Sequence, residues 1–257
     1  MDIRERIVHL LRYTYMEQEW IYAMWLEGSD GTGSVDHLSD LDIVFDVEDG
    51  NEDRLLEMLE RTLTIIGPLD YKYEGDKPDE LLRYIVYHIE GTPSTLLLDI
   101  TVQSHSRKYE FVIEDLGTVP TIIFDKKNVV RYCHLDHLKL EKELLSKLYH
   151  IEQTFNQQAR AKKYTDRGLF LESFAYYQRY VLQPLVELIR IYHTPIGYYM
   201  HLIHISRDIP QDVLAELEPL YKVNSAEEIG LKIEQATEMF NALLPLVKEK
   251  LAHKTTN

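Results

Sequence analysis

The sequence predicts an α+β protein, with an N-terminal domain whose mixed β-sheet is flanked by helices and a C-terminal α-helical bundle. In the first half, short apolar runs with period-two alternation are separated by turn residues, which is typical of strands. From residue 136 onward, apolar residues recur at helical spacing over long stretches. We therefore predict two domains, residues 1–135 and residues 136–257.

The first half is predicted to begin with an amphipathic helix and to continue mainly as strands. The predicted elements are a helix over 2–20, strands over 20–27 and 40–47, a helix over 51–62, short strands over 63–68 and 69–73, a hairpin of 81–89 with 95–103, and a strand region over 121–130. Residues 30–34 are predicted to be a flexible loop because they contain too few apolar residues, and residues 75–78 are predicted to be a turn.

The second half is predicted to be helical throughout. The predicted helices cover 138–163, 169–192, 198–206, 210–221 and 225–253. Ser225 and Glu228 have the spacing of a capping box, which marks the start of the last helix. The many Leu, Tyr and Phe residues of these helices are interpreted as the core of a bundle.

Composition is typical of a globular, cytoplasmic protein. Of 257 residues, 45% are hydrophobic and 28% are charged, and no apolar run approaches the roughly 20 residues of a membrane helix. The opening Met-Asp-Ile-Arg does not resemble a secretion signal. Cys133 is the only cysteine, which excludes an internal disulfide and fits a reducing compartment.

The charge of the chain argues against a nucleic-acid partner. There are 43 acidic residues against 28 Lys and Arg, and the net charge is −15, whereas nucleic-acid binding requires a basic surface. An acidic surface would favour a cationic small molecule. It is equally explained by solubility, so the charge excludes nucleic acid better than it identifies a ligand.

A strand, a loop and a second strand between Leu26 and Phe45 carry the first chemical signal. Gly28 and Ser29 end the first strand, and Asp40 and Asp42 open the second, where alternation places both carboxylates on one face. Two adjacent carboxylates repel unless a cation lies between them, and hard oxygen ligands suit Mg²⁺. The small residues allow a polyphosphate to approach the backbone. Together they predict a site for a metal–nucleotide complex.

Asp99 supplies a third carboxylate. It lies between Leu98 and Ile100 in the middle of an apolar run, where a charge is costly unless it is paired or binds a metal. Its position fits a later strand of the same sheet. We interpret Asp30, Asp36 and Ser39 as solvated loop residues.

Two further side chains near these strands are given no catalytic role. Asp46 is interpreted as a solvated acid at a strand end, and His88 as a cross-strand neighbour on the hairpin.

This pattern of Gly-Ser, Asp-x-Asp and a later strand Asp resembles the DNA polymerase β-type nucleotidyltransferase superfamily. With its helical second half, the chain most resembles the small-molecule branch, the aminoglycoside and lincosamide nucleotidyltransferases. The resemblance implies that Gly28 and Ser29 hold the triphosphate of an NTP, ATP in the first place. It also implies that Asp40 and Asp42 bind Mg²⁺, and that Asp99 is a metal ligand, the general base, or both.

The resemblance further implies a basic residue from the helical domain on the phosphates. Arg160 lies where related enzymes carry such a residue, although basic residues near a helix end also complement the helix dipole. Some relatives use a glutamate of this helix as the base, but here the matching place holds Asn156, with Glu152 one turn earlier. This departure favours Asp99 as the base.

The predicted activity is transfer of a nucleoside monophosphate, AMP in the first place, from Mg-NTP to a hydroxyl of a small molecule such as an aminoglycoside-like antibiotic, with release of pyrophosphate. The alternatives are a catalytically retired or antitoxin-like nucleotide-binding protein, an enzyme modifying protein or RNA, and a plain metal-binding domain. The resemblance is compatible with a homodimer. Arg190 and His193 are too closely spaced for the Arg and His pair of an attached RNase-like domain, and we interpret them as structural.

Overall fold

The computed structural model describes residues 2–75 and 79–252. The predicted turn at 75–78 and the end of the last predicted helix therefore lie partly outside the described residues. The chain divides into two compact units, Met1–Leu135 and Asp136–Asn257. No helix of the described ranges is long and apolar enough to span a membrane.

The first unit contains three helices and eight strands among its described residues. They are α1 (Ile3–Tyr15), β1 (Ile21–Leu26), α2 (Gly28–Thr32), β2 (Leu41–Val47), α3 (Glu52–Leu63), β3 (Leu69–Glu74), β4 (Leu82–Ile89), β5 (Leu98–Ser104), β6 (Phe111–Val112), β7 (Thr121–Asp125) and β8 (Tyr132–Cys133). The predicted strand over 63–68 is wrong, because α3 continues to Leu63 and turns follow it. The short β6–β8 pair was not predicted, since two-residue strands leave no periodic signal.

A six-stranded mixed sheet organises the described part of this unit, in the order β3-β4-β5-β2-β1-β7. Only β2 and β5 pair in parallel among these strands, while β4 and β5 form the predicted antiparallel hairpin. The prediction of a mixed sheet with flanking helices is confirmed. The parallel pair at the centre determines which side chains meet on the sheet surface.

One face of the sheet packs against α1 and α3. Helix α1 begins at a capping box, in which the side chain of Asp2 accepts a hydrogen bond from the backbone N–H of Glu5 and the side chain of Glu5 accepts one from Asp2. The buried side chains of α1 and α3 join those of the strands in one core that includes Ile7, Leu59 and Phe45. The other face carries a smaller apolar cluster of Ala23, Trp25, Val44 and Phe111. Asp42 and Asp46 share this second face with Val44, because every second residue of β2 projects to the same side.

The cross-strand contact of His88 is with β3. Its Nδ1 lies 2.6 Å from Oδ1 of Asp70, and this hydrogen bond raises the pKa of His88 above its ordinary value. The stabilisation is complete below the unfolded-state pKa of about 6.5 and is lost as pH rises through the folded-state pKa. We expect His88→Gln to reduce the loss of Tm between about pH 5.5 and about pH 8. The exposed His9→Gln is the control, and equal slopes for the two variants would contradict this assignment.

The described part of the second unit is helical, as predicted. Its α-helices are α4 (His137–Phe155), α5 (Ala159–Thr165), α6 (Phe170–Tyr177), α7 (Gln183–His193), α8 (Ile205–Asp208), α9 (Gln211–Tyr221) and α10 (Ala226–Ala252). A π-helical turn, Gln178–Leu182, joins α6 to α7, and a 3₁₀ turn, Tyr198–Met200, precedes α8. Ser225 caps α10 as predicted, because its hydroxyl accepts a hydrogen bond from the N–H of Glu228.

Three predicted helices differ from the structure. The predicted helix over 198–206 is wrong, because turns over 201–204 separate the 3₁₀ turn Tyr198–Met200 from α8. The predicted helix over 138–163 breaks into α4 and α5, where Phe155 stacks on Phe240 at 3.7 Å between ring centroids and Gln158 accepts a hydrogen bond from Thr237. The predicted helix over 169–192 contains the π-helical turn, which leaves the chain helical but shifts the faces on either side. The break between α4 and α5 coincides with contacts to α10, which local periodicity does not report.

Candidate functional site

Asp42 and Asp99 are brought together by the parallel pairing of β2 with β5. They are direct partners in the register of the two strands, and both side chains are half-buried. Partners in neighbouring parallel strands project from the same face, and the strands lie about 4.8 Å apart. The expectation that Asp99 shares the face of Asp42 therefore agrees with the register of the sheet.

Asp40 immediately precedes β2, and Arg4 of α1 fixes the backbone at this position. The guanidinium of Arg4 donates hydrogen bonds to the backbone carbonyls of Ser39 and Asp40 and forms an ion pair with the carboxylate of Asp30 at 2.5 Å. The interpretation of Asp30 as a solvated loop residue is wrong, because its side chain is 17% exposed and paired with Arg4. Arg4 was missed because a partner 26 residues away leaves no local pattern.

The predicted flexible loop begins as a short helix. Helix α2 follows β1 directly and ends at Gly33, which adopts φ +69°. The hydroxyl of Thr32 donates to the carbonyl of Gly28 at 3.1 Å, which stabilises the turn. The prediction of a loop is therefore wrong for residues 30–32, because hydrogen bonds within the turn compensate for its low apolar content.

Gly28 and Ser29 lie directly beside the carboxylates. Gly28 has φ +57°, and a Cβ at this position would lie 2.0 Å from Oδ2 of Asp42. The hydroxyl oxygen of Ser29 is buried and has no hydrogen-bond partner among the described residues. A buried hydroxyl without a partner is unfavourable in isolation, so a ligand oxygen at this corner would satisfy it.

We expect Gly28→Ala to displace the Asp42 carboxylate and to lower nucleotidyl transfer about 100-fold, since small misplacements of catalytic groups have effects of that size. Gly33→Ala is the matched control. It has the same left-handed backbone but nothing within 4 Å of the added Cβ. The left-handed backbone should cost each variant about 1 kcal/mol of stability, and Gly28→Ala should lose more because of its overlap with Asp42. Equal transfer by the two variants would show that the contact between Gly28 and Asp42 has no functional role.

The charges of the cluster act on one another. Burial, followed by repulsion from Asp40 and Asp99, raises the pKa of Asp42 to about 6. Burial also raises the pKa of Asp99, with a contribution from Asp40, and the Tyr84 hydroxyl opposes this by donating a hydrogen bond to its carboxylate. The carboxylates of Asp40, Asp42 and Asp99 therefore repel one another, and a bound cation would reduce this repulsion.

Two further side chains of this site were missed by sequence reasoning. Tyr84 lies on β4 opposite Thr101, and burial together with Asp99 raises its pKa to about 12. Glu27 follows β1, accepts a hydrogen bond from Nε1 of Trp25 at 2.7 Å, and has a pKa raised mainly by burial. The signal for Glu27 was its place directly before Gly28. The signal for Tyr84 was its even spacing from Val86 on the hairpin.

The carboxylates suit Mg²⁺ in their chemistry and in the register of Asp42 with Asp99. Within residues 2–75 and 79–252, no three His, Cys, Asp or Glu side chains form a group that could hold a metal ion by themselves. Mg²⁺ commonly takes only one or two protein carboxylates and completes its shell with water and substrate phosphates. The in-register pair meets that requirement, and the assignment of Asp40, Asp42 and Asp99 as joint ligands stays a prediction.

Arg160, the basic residue predicted to contact the phosphates, belongs to the second unit. Arg160 lies in the second unit near the start of α5, exposed, with its guanidinium 5.7 Å from the ring centroid of Tyr180. Its role as a phosphate ligand remains a prediction.

The interpretation of Asp46 as solvated is wrong. Its side chain is fully buried and accepts hydrogen bonds from Gln103 at 2.7 Å and His105 at 2.8 Å.

Comparison with known proteins gives structural neighbours. No protein-family model matches the sequence, and no curated protein matches it significantly. An aminoglycoside 6-adenyltransferase from Bacillus subtilis is 15% identical with a TM-score of 0.41, over 98% of this chain and 92% of that one. A nucleotidyltransferase-like protein from Exiguobacterium sibiricum is 13% identical with a TM-score of 0.39, over 98% and 79%.

A third neighbour is a spectinomycin adenyltransferase from Enterococcus faecialis, solved with ATP and spectinomycin. It is 12% identical with a TM-score of 0.34, over 95% of this chain and 98% of that one. These neighbours are nucleotidyltransferases of the class that the sequence motif resembles. At such identities and TM-scores the likeness carries no argument about activity, which has to come from the carboxylates themselves.

Proposed function

We propose that the protein is a Mg²⁺-dependent nucleotidyltransferase that moves a nucleoside monophosphate from an NTP, ATP in the first place, to a hydroxyl of a small molecule. The observation that carries the proposal is the direct register of Asp42 with Asp99 on parallel strands, beside the glycine corner at Gly28. This arrangement supports the proposal because it places carboxylates suited to a metal–phosphate complex beside a glycine that lets the Asp42 carboxylate approach the backbone closely.

The roles proposed for side chains of the first unit rest on their positions on the sheet, and the role proposed for Arg160 rests on the family resemblance. Asp40 and Asp42 would hold Mg²⁺, which when bound would neutralise charge on the phosphates and the leaving pyrophosphate. The absence of a side chain at Gly28 leaves room for the Asp42 carboxylate, and Gly28 and Ser29 would hold the triphosphate, with the Ser29 hydroxyl donating to a phosphate oxygen. Arg160 would supply further positive charge.

Asp99 is the proposed general base. The acceptor oxygen forms a bond to the α-phosphorus, the bond from that phosphorus to the bridging oxygen breaks, and pyrophosphate leaves with the electron pair. Asp99 takes the proton from the acceptor hydroxyl. The Tyr84 hydroxyl, which donates to the Asp99 carboxylate, holds it in place for this transfer. Asp99 and Tyr84 thus act on the acceptor side of the reaction.

The experiment is a transfer assay with α-labelled ATP, GTP, CTP and UTP. The protein is incubated with each NTP, Mg²⁺ and a panel of hydroxylated small molecules, including aminoglycosides and lincosamides. We expect label on an acceptor, together with release of pyrophosphate, only when Mg²⁺ is present. Transfer that is unaffected by EDTA would overturn the proposed metal dependence, and the absence of labelled acceptor with every NTP would overturn the activity.

A catalytically retired nucleotide-binding protein is the second candidate. The observation in its favour is that no group of three potential metal ligands is assembled in the described part of the chain. It predicts tight NTP binding without transfer to any acceptor, which isothermal titration beside the same assay distinguishes from the first candidate.

A further inference from the structure

A cavity of about 490 Å³ opens on the sheet face that carries the carboxylates. Its floor includes Asp46 and Gln103, which are partners in the register of β2 with β5. Each lies four residues beyond a carboxylate of the site, Asp46 after Asp42 and Gln103 after Asp99, and an even spacing keeps them on the same face. Four residues of strand separate the two places by about 13 Å.

The wall of the cavity is basic, although the whole chain carries a net charge of −15. Three of its lining residues are cationic: Arg107, Lys108 and Arg131. In the part of the chain that the structure describes, no carboxylate forms an ion pair with Lys108 or Arg131. Glu110 also lines the cavity. The basic side chains outnumber the acidic ones, so the wall favours an anion.

Asp46, the acidic residue at the floor of the cavity, is hydrogen-bonded within the protein. The Asp46 carboxylate is fully buried and accepts hydrogen bonds from Nε2 of Gln103 and Nδ1 of His105. Its charge is thus compensated from two sides rather than directed into the cavity.

Arg107 is held in position at the edge of the cavity. Its Nη1 donates to Oε1 of Gln103 at 3.1 Å, its Nε lies 3.3 Å from Oδ2 of Asp79, and its guanidinium lies over the ring of Tyr109. The pair with Asp79 is partly exposed and so contributes little binding free energy. A preorganised guanidinium recognises phosphate and carboxylate groups particularly well.

The sheet connects this cavity to the proposed reaction centre. Tyr84 and Thr101 are register partners between Asp99 and Gln103, and both are half-buried. The phosphates of the NTP are retained beside Asp42, and the base and ribose of an NTP carry no negative charge. On the proposed function, an anion bound in the cavity would therefore come from the other substrate.

We propose that this cavity binds an anionic group of the acceptor, a phosphate or a carboxylate, about 13 Å from the hydroxyl that is modified. The inference rests on the proposed function. It replaces the cationic acceptor suggested by the overall charge with an acceptor that carries a negative group at one end.

The first test measures binding without catalysis. Pyrophosphate is titrated calorimetrically in EDTA, where the free carboxylates at 40, 42 and 99 repel it. We expect the double variant Lys108→Gln/Arg131→Gln to bind it about tenfold or more weakly, because hydrogen bonds to charged groups are lost. Asp42→Asn should leave this binding intact. The control is Lys139→Gln/Lys142→Gln on the exposed surface of α4.

Each outcome of this titration decides the proposal. Undiminished binding by the Lys108/Arg131 variant, loss of binding in Asp42→Asn, or no binding by the unaltered protein would each overturn it. The proposed activity is tested separately by the transfer assay, which depends on Asp42. Binding that is lost with Lys108 and Arg131 while no transfer is found would leave an anion site on a protein that is not a transferase.

The second test identifies the source of the anion. The transfer assay is repeated with hydroxylated acceptors that carry a phosphate, a carboxylate or only amines. We expect the first two to be preferred and their KM to rise about tenfold in Lys108→Gln/Arg131→Gln. The acceptor that is preferred, the one with a phosphate or the one with a carboxylate, identifies the anionic group that the cavity binds. An unchanged KM for the phosphate and carboxylate acceptors in this variant, or a preference of the unaltered protein for the amine-bearing acceptor, contradicts the inference.

Discussion

Replacing Asp42 by Asn should lower nucleotidyl transfer about 1,000-fold or more while leaving the protein folded, because metal-assisted charge stabilisation contributes several kcal/mol to the barrier. Asn keeps the size of the side chain but loses the charge that faces Asp99. The measurement is label transfer from α-labelled NTP at saturating Mg²⁺. Asp36→Asn is the matched control, since Asp36 lies exposed in the same connection between β1 and β2.

The same variant has a second signature in stability. Because burial and neighbouring carboxylates raise the pKa of Asp42 to about 6, the folded protein binds more protons than the unfolded chain below that pH. The stability contribution of Asp42 therefore falls as pH rises from the unfolded pKa of about 3.9 towards the folded value. In EDTA at neutral pH, we expect Asp42→Asn to melt at or above the temperature of the unaltered protein. A less stable, inactive variant would indicate a structural role instead.

Replacing Arg190 by Met should lower the stability of the second unit by about 3–5 kcal/mol, the usual effect of removing one partner of a buried ion pair. The Arg190 side chain is completely buried. Its guanidinium donates to Asp208 at 2.8 Å and to the carbonyl of His201 at 2.8 Å, and also to that of Ile203. Met fills much of the volume but leaves the carboxylate and both carbonyls without this donor.

The control for this prediction is Arg207→Met. Arg207 contacts the other oxygen of Asp208 at 2.8 Å but is 44% exposed, so its loss should have an effect of about 1 kcal/mol or less. The measurements are chemical denaturation and hydrogen exchange of residues 198–208. Similar losses in the two variants would show that burial of Arg190 has no special energetic role.

Arg190 also explains an unusual backbone segment. His201 has φ +49° and His204 has φ +55°, which are left-handed conformations that non-glycine residues rarely adopt. The guanidinium binds the carbonyls of His201 and Ile203 and thereby holds this turn in place. The sequence reading of Arg190 as structural agrees with these contacts, and nothing in the local pattern indicated which carbonyls it would bind.

The sequence by itself determined the carboxylates proposed for the site, although it did not single out Glu27 or Tyr84. Alternation along a strand follows from covalent geometry, so the spacing of Asp40 and Asp42 predicts a shared face, although β2 begins only at Leu41. The charge of Asp99 stood out within an apolar run. The β4–β5 hairpin was equally readable, because a short turn between two apolar runs is a local signal. The helical second half followed from its periodicity in the same way.

The tertiary structure decided how these pieces meet. Parallel pairing of β2 with β5 brings Asp42 opposite Asp99, and it joins segments more than 50 residues apart. The ion pair of Arg4, the burial of Asp46 and the break between α4 and α5 likewise depend on distant partners. Local periodicity reflects the geometry of a few consecutive residues, whereas these contacts are selected by the free energy of packing the whole unit, which no short stretch of sequence contains.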